Sequence, residues 1–227
     1  MKARTDVEVG LDARGHTVVR RLHCEVPLLV READEPGPTL ALLLVNGAAG
    51  PLGGDVLRFR LTVADGASVR VRSVAASMAQ PGPRGDPSSL HVEVTVGSGA
   101  SLDWCPQPTI SVEGSVHRTV TTLLAAPDST IRWTDDIVLG RHREPPGTIL
   151  QRLRLEVGDD VVLDHDLHLA DGALRGPGAN GPYRTLRSAL LVADDAPREA
   201  TTHTDGCALH GTFPLAPRCA LITTLTD

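Results

Sequence analysis

The sequence predicts a mainly β chain whose antiparallel and mixed strands stack in a helicoidal, β-helix-like arrangement with one or two short helices. Three observations predict it. Apolar residues recur at every second position over long stretches, as in strands with one buried face. A turn-then-strand signature also returns at near-constant spacing: Asp65-Gly-Ala-Ser-Val, Ser98-Gly-Ala-Ser-Leu, Pro127-Asp-Ser-Thr-Ile and Gly158-Asp-Asp-Val-Val start 33, 29 and 31 residues apart. Such spacing suits coils that each bury a face on the next. An ordinary all-β chain, with a turn every ~8–12 residues, also shows some near-periodicity. Finally, capped stretches with a 3.6-residue period are scarce.

Taken in order, VLRFRLTV (Val56 to Val63) and SVRVRS (Ser68 to Ser73) alternate cleanly. HVEVTV (His91 to Val96), Ser115 to Leu124, ILQRLRLEV (Ile149 to Val157) and VVLDHDLHL (Val161 to Leu169) do the same. Val74 to Gln80 and Tyr183 to Val192 are the candidate short helices, the second equally readable as a strand. Loops fall at Glu32 to Pro38, Gln80 to Ser89, Glu144 to Gly147 and Gly172 to Pro182, where Gly, Pro and small polar residues cluster. None of them is followed by an independent core, so one domain over residues 1–227 is expected.

Composition narrows the function. A net charge of −6 and 2% aromatic residues supply neither the basic field nor the stacking platforms of a nucleic-acid binder. The longest apolar run, Leu40 to Val45, is far short of the ~18–20 residues that cross a bilayer. The start MKARTDVEVG places charges where a signal peptide needs its apolar run, so a cytoplasmic protein with no membrane partner is expected. Cys24, Cys105, Cys207 and Cys219 form no CxxC pair and are expected to be reduced.

Candidate chemistry is sparse. Between an apolar and an alternating strand lies Asn46-Gly-Ala-Ala-Gly-Pro-Leu-Gly53-Gly54-Asp55. Its glycines permit a tight turn, with Asp55 either capping the turn amides or presenting a carboxylate at the strand mouth. No Lys-Ser/Thr and no helix pattern follow, so neither phosphate-binding fingerprint is met. His203-x3-Cys207-x2-His210 has nitrogen and sulfur ligands at workable spacing for a metal, without the fourth ligand of a structural zinc site. Strand alternation puts Asp164, Asp166 and His168 on one face, as a cation cluster or simply a solvated one. Asp135-Asp136 and the other adjacent acidic pairs read as turns or exposed edges, because neighbours on a strand face opposite sides. No nucleophile motif is present and no enzyme is expected, the alternatives being a metal-dependent enzyme using one of these clusters or a β-solenoid interaction module with no metal role. Trp104-x-Pro106-Gln107-Pro108-Thr-Ile110 forces an extended backbone beside a large ring, and Leu139-Gly140-Arg141 closes a strand before the Pro-Pro loop.

In order and interval, Leu52-Gly53-Gly54-Asp55-Val-Leu, DGASVRVRS, Trp104-x-Pro-Gln-Pro-Thr-Ile110 and Leu139-Gly140-Arg141 resemble the UreD (UreH) family of urease accessory proteins, in its short actinobacterial form. The match runs from Leu28 to Arg154. The resemblance implies a single UreD-like domain that acts as a non-catalytic maturation factor. It would bind the urease apoprotein and UreF, which recruits the GTPase UreG, with two copies in the accessory complex. It further implies an internal tunnel that conducts Ni²⁺ toward the urease active site, so nickel would be transient cargo with no tightly bound cofactor.

By position, Asp55 matches the family's Gly-Gly-Asp carboxylate near the tunnel, and Ser73, Ala76 and Ser77 fall on a stretch that helps to line it. Met78, Ala79 and Gln80 stand where the family has a basic residue and then a Tyr. Pro145-Pro146 replace its Gly-Glu, which leaves Glu144 as the nearest carboxylate. The helical tail of longer members is replaced by ALITTLTD.

Overall fold

The computed structural model describes residues 1–170 and 183–227; the loop expected at Gly172 to Pro182 lies outside them. Strands make up the regular structure of the described residues, and no helix occurs among them. They are β1 (Lys2–Leu11), β2 (Thr17–Cys24), β3 (Leu28–Ala33), β4 (Leu40–Asn46), β5 (Val56–Val63) and β6 (Ser68–Ser73). Next come β7 (Ser77–Ala79), β8 (Ser88–Val96), β9 (Ser101–Trp104), β10 (Thr109–Ser111), β11 (Val116–Ala125) and β12 (Thr130–Leu139). The chain continues through β13 (Thr148–Val157), β14 (Asp160–Leu169), β15 (Thr185–Val192), β16 (Thr201–Asp205), β17 (Ala208–Ala216) and β18 (Cys219–Thr226).

The chain winds as a β-solenoid of about 4 turns. On one face β1, β5, β8, β11 and β13 run parallel, flanked antiparallel by β2 and β14. On the other, β4, β6, β9 and β12 run parallel; β3 flanks one side, and β15, β18, β17 and β16 extend the other as an antiparallel meander. A short parallel strip, β7 on β10 on β12, fills the corner between them.

The repeat in the sequence is the repeat in space. Val63 pairs with Val96 and Val96 with Ala125, while opposite them Val69 pairs with Leu102 and Leu102 with Ile131. Equal coil lengths therefore set like residues above like. The turns stack as well: Asp65 Oδ1 accepts the Ser98 N–H at 2.9 Å, and the Ser98 hydroxyl donates to Asp128 at 2.7 Å. Gly66 and Gly99 turn these corners at φ of 69° and 60°, a backbone region that costs other residues more.

Side chains from both sheets meet in one apolar cluster running from Val7 to Cys219. Leu61, Val63, Leu123, Ile131, Leu155, Leu190 and Val192 are fully enclosed, each contributing about 1.5–3 kcal/mol of hydrophobic burial. Trp104 and Trp133, one coil apart, stack with ring centroids 4.4 Å apart, and Phe59 meets Trp104 edge-on from the facing sheet at 5.5 Å.

Neither expected helix forms. Between Val74 and Gln80 lies β7, whose backbone pairs with β10 and whose Ser77 N–H donates to Pro108 O at 2.9 Å. The neighbouring coil offers a ready hydrogen-bonding edge, and Pro81 blocks helix continuation. Tyr183 to Val192 contains β15, the strand alternative, with Leu186, Leu190 and Val192 buried on its inward phase.

Candidate functional site

Three cavities follow one another between the sheets, and adjacent ones share wall residues. The first, about 40 Å³, lies behind Pro27, Gly50 and Pro51. It shares Leu28, Asn46, Ser77, Leu90, Thr109 and His117 with a second cavity of about 120 Å³. That one meets a third, about 510 Å³, at Trp133, Asp135 and Gln151. The third opens where the β15–β18 meander parts from β13 and β14, and apolar side chains such as Leu153, Leu167, Leu209 and Leu225 dominate its walls.

The second cavity is more polar. Strand β11 sends His117, Thr119 and Thr121 inward before returning to Leu123 and Ala125. Ser73, Ser77, Gln107 and Thr109 come from the opposite wall. His117 is only 2% exposed; its Nδ1 lies 2.8 Å from the Ser88 hydroxyl and its Nε2 3.2 Å from Thr119 Oγ1. Burial pushes its pKa down to about 4, so the ring is neutral at physiological pH. Two buried polar atoms in this wall, Trp104 Nε1 and Thr121 Oγ1, have no protein partner among the described residues. Buried polar groups normally find one, and water in the cavity supplies an acceptor to the indole N–H and a partner to the hydroxyl.

Asp135 corrects the expectation that the adjacent acidic pairs sit in turns or on exposed edges. It points inward from β12 and borders both the second and third cavities. Its Oδ2 accepts Trp133 Nε1–H at 2.8 Å and Gln151 Nε2–H at 3.1 Å. Desolvation pushes its pKa up to about 6, against the opposing hydrogen bond from Trp133. Asp136 instead makes a two-point ion pair with Arg187, at 2.8 and 2.7 Å.

The motif residues divide into wall and frame. Ser73 and Ser77 line the second cavity: Ser73 Oγ accepts Gln107 N–H at 2.8 Å, and Ser77 Oγ accepts Asn46 Nδ2–H at 3.1 Å. Trp104, Pro106 and Gln107 stand on the same wall. Asp55 does not line the cavities. It is 7% exposed, and its carboxylate accepts the Leu52 N–H at 2.9 Å and the Met1 amine at 2.5 Å, so it caps its own turn. Gly53 is required there, because a Cβ would come within 2.3 Å of Gly82 N.

Glu144 also lies away from the cavities. Two hydrogen bonds of 2.8 Å from Arg141 hold it, and that guanidinium keeps its pKa down at about 2. A Cβ on Gly140 would lie 2.5 Å from Glu144 O, and Arg184 donates to the carbonyls of Leu139 and Glu144. This motif is a braced corner.

Among the described residues, no group of three or more His, Cys, Asp or Glu side chains is placed to hold a metal ion. Asp164, Asp166 and His168 do share the outer phase of β14, but Asp164 is engaged by Arg152 at 2.8 Å and Arg154 at 2.9 Å. His203 and His210 face each other across β16 and β17 with rings 4.8 Å apart, while Cys207 sits exposed at the hairpin end. Sequence reasoning missed His117, Thr119, Thr121, Asp135 and Gln151. Their signal was available as polar residues on the inward phase of strands β11, β12 and β13.

Stacked coils around an apolar core, with motif residues serving as cavity wall and corner, define a β-solenoid protein. The model of the family described as UreD urease accessory protein matches residues 2–220, and the chain belongs to that family. The "Urease accessory protein UreD" of Parafrankia sp. (strain EAN1pec) is 38% identical, covering 100% of this chain and 84% of that relative. That of Frankia alni is 34% identical over 100% of this chain and 88% of the relative. The "Urease accessory protein UreD 3" of Streptomyces griseus is 36% identical over 98% and 89%. The relatives are named as urease accessory proteins. No helix in the described residues is long and apolar enough to cross a membrane.

Proposed function

We propose that this chain serves urease maturation in the cytoplasm by passing Ni²⁺ through its interior to the urease apoprotein. It would act in a complex with UreF and, through UreF, the GTPase UreG, two copies of the chain being present. The observation that carries this reading is the line of three cavities with shared walls, the middle one presenting hydroxyl, amide and carboxylate oxygens and one neutral imidazole among apolar side chains. Oxygen donors bind a borderline cation such as Ni²⁺ loosely enough to release it, whereas a thiolate cage would retain it. An acidic chain, at −6, also gathers cations around its surface.

The test is urease produced with and without this chain, with nickel content of the purified enzyme as the readout. Nickel-poor, inactive urease in its absence, restored by the wild-type chain, supports the reading. Normal nickel content and activity without the chain removes it.

A further inference from the structure

The outer face of the sheet that contains β1, β5, β8, β11 and β13 is not charged evenly. Parallel register fixes its rows. One row runs Lys2, Val56, Ser89, Arg118 and Leu150, and the next runs Arg4, Arg58, His91, Val120 and Arg152. Across these strands the two rows hold five cations and a histidine, and no carboxylate.

The charges that border them are matched. Arg4 holds Asp6 at 2.6 Å, Arg60 holds Glu93 at 2.6 Å, and Arg152 holds Asp164 at 2.8 Å. Lys2, Arg58 and Arg118 are exposed, and none of them forms an ion pair among the described residues. Arg58 nevertheless sits directly beside Arg4 on one neighbouring strand and beside His91 on the other. Like charges side by side in a sheet repel. A chain with 28 acidic residues against 22 basic ones places no carboxylate in these rows to relieve that repulsion. A shallow cleft of about 40 Å³ opens at the same spot, lined by Arg4, Arg58, Arg60 and His91. Its own carboxylates, Asp6 and Glu93, are the two already held by arginines.

Spacing decides what the face fits. Neighbouring strands lie ~4.8 Å apart, so Lys2 and Arg118, on strands three steps apart, are separated by roughly 14 Å. In an extended peptide, side chains on one face recur every ~6.7 Å, so three of them span about 13 Å. A segment with carboxylates at alternate positions, laid across the strands, therefore matches these cations in both sign and pitch. Its middle carboxylate falls over the cleft, where the Arg58 guanidinium offers a two-point contact. Nucleic acid fits less well, because no Phe, Tyr or Trp stands in these rows to stack a base.

We propose that this face docks an extended acidic protein segment of the Glu-x-Glu-x-Glu kind, seated on Lys2, Arg58, His91 and Arg118. The surface stands on its own geometry; which protein carries the segment rests on the maturation reading above.

The experiment titrates the purified full-length chain into a fluorescein-labelled Glu-Ala-Glu-Ala-Glu peptide and reads anisotropy at low and at high salt. One variant combines Arg58→Glu with Arg118→Glu, and a milder one combines Arg58→Gln with Arg118→Gln. The control is Arg132→Glu, exposed on the opposite sheet. Circular dichroism confirms that each is folded. Binding that weakens with salt, falls at least about tenfold in the charge-reversed pair, falls less in the neutral pair and is unchanged by Arg132→Glu supports the surface. Absent binding, binding that ignores both pairs, or binding equally reduced by Arg132→Glu overturns it. A short single-stranded RNA held more tightly than the peptide, and lost in the same pairs, overturns it in favour of nucleic acid.

A second arm presents each variant separately to UreF and to apo-urease. A severalfold loss of capture of either one supports the surface's place in maturation and names the carrier of the segment; undiminished capture of both overturns that place. Failure of the maturation reading is seen apart from this, as normal urease nickel with no chain at all.

Discussion

The coiled region from β4 to β13 and the antiparallel end from β14 to β18 are built from the same alternating strands, yet they enclose space differently. In the coils, parallel register places Val63, Val96 and Ala125 in one ladder and Val69, Leu102 and Ile131 in the facing one. Around these ladders the interdigitating side chains leave little room. At the other end the meander turns back on itself, β16 is exposed along its length, and a cavity of about 510 Å³ separates β17 and β18 from β13 and β14. A repeat of constant length packs because each coil is a template for the next; a meander has no such constraint and can leave a chamber. The polar chamber lies within the coils, where β11 turns His117, Thr119 and Thr121 inward, and it borders the large cavity at Trp133, Asp135 and Gln151.

Truncations across that boundary break the comparison most strongly. Leu123→Ala in the coil core, where the side chain is fully enclosed, is expected to cost about 3–4 kcal/mol. Leu209→Ala, on the wall of the large cavity, already lacks partner atoms on one side and is expected to cost about 1 kcal/mol. Urea unfolding midpoints at unchanged slope measure both. Equal costs would mean that the cavity is closed in solution.

The pH response sharpens the comparison at the boundary itself. The pKa of His117 is lowered in the folded chain to about 4, so the unfolded chain takes up the proton first as pH falls. Stability is therefore expected to decline between about pH 6.5 and 4, by on the order of 2 kcal/mol, and His117→Gln removes that decline. Asp135 acts with the opposite sign. Its folded pKa is raised to about 6, so the folded chain holds the proton longer, and stability declines as pH rises from about 4 to 6. Asp135→Asn is expected to be more stable than the wild type at pH 7.5, by on the order of 2 kcal/mol, with the gap closing near pH 4. Thermal unfolding at the two pH values reads both slopes.

The smallest effect belongs to the outer face. Asp164→Ala removes exposed ion pairs to Arg152 and Arg154 and is expected to lower the urea midpoint least of these variants, and less still in high salt.

Much of the coil architecture was legible because it rests on local chemistry. Strand alternation, and turns that repeat 33 and 29 residues apart, became the register offsets of the sheets. The short β7 was not legible, since its hydrogen bonds come from a neighbouring coil and not from its own residues. Of the residues suggested by resemblance, Ser73 and Ser77 do reach the cavity wall, whereas Asp55 and Glu144 brace turns. Asp135 escaped because its meaning depends on strand phase and on how far the sheets separate, and neither is written in a pair of adjacent acids. His203, Cys207 and His210 looked like a set by spacing; the hairpin brings the two histidines together and leaves the cysteine at its tip.

The central claim is that nickel travels through the interior of this chain, and a plug tests it most directly. Thr119→Phe places a ring in the second cavity, while Thr122→Phe on the same strand adds that ring to the opposite face of the sheet. Urease would be matured with each variant and its nickel measured per active site, after confirming that both variants still capture apo-urease. The account predicts a severalfold loss of nickel with Thr119→Phe and wild-type content with Thr122→Phe. Full nickel content with the plugged chain would contradict it.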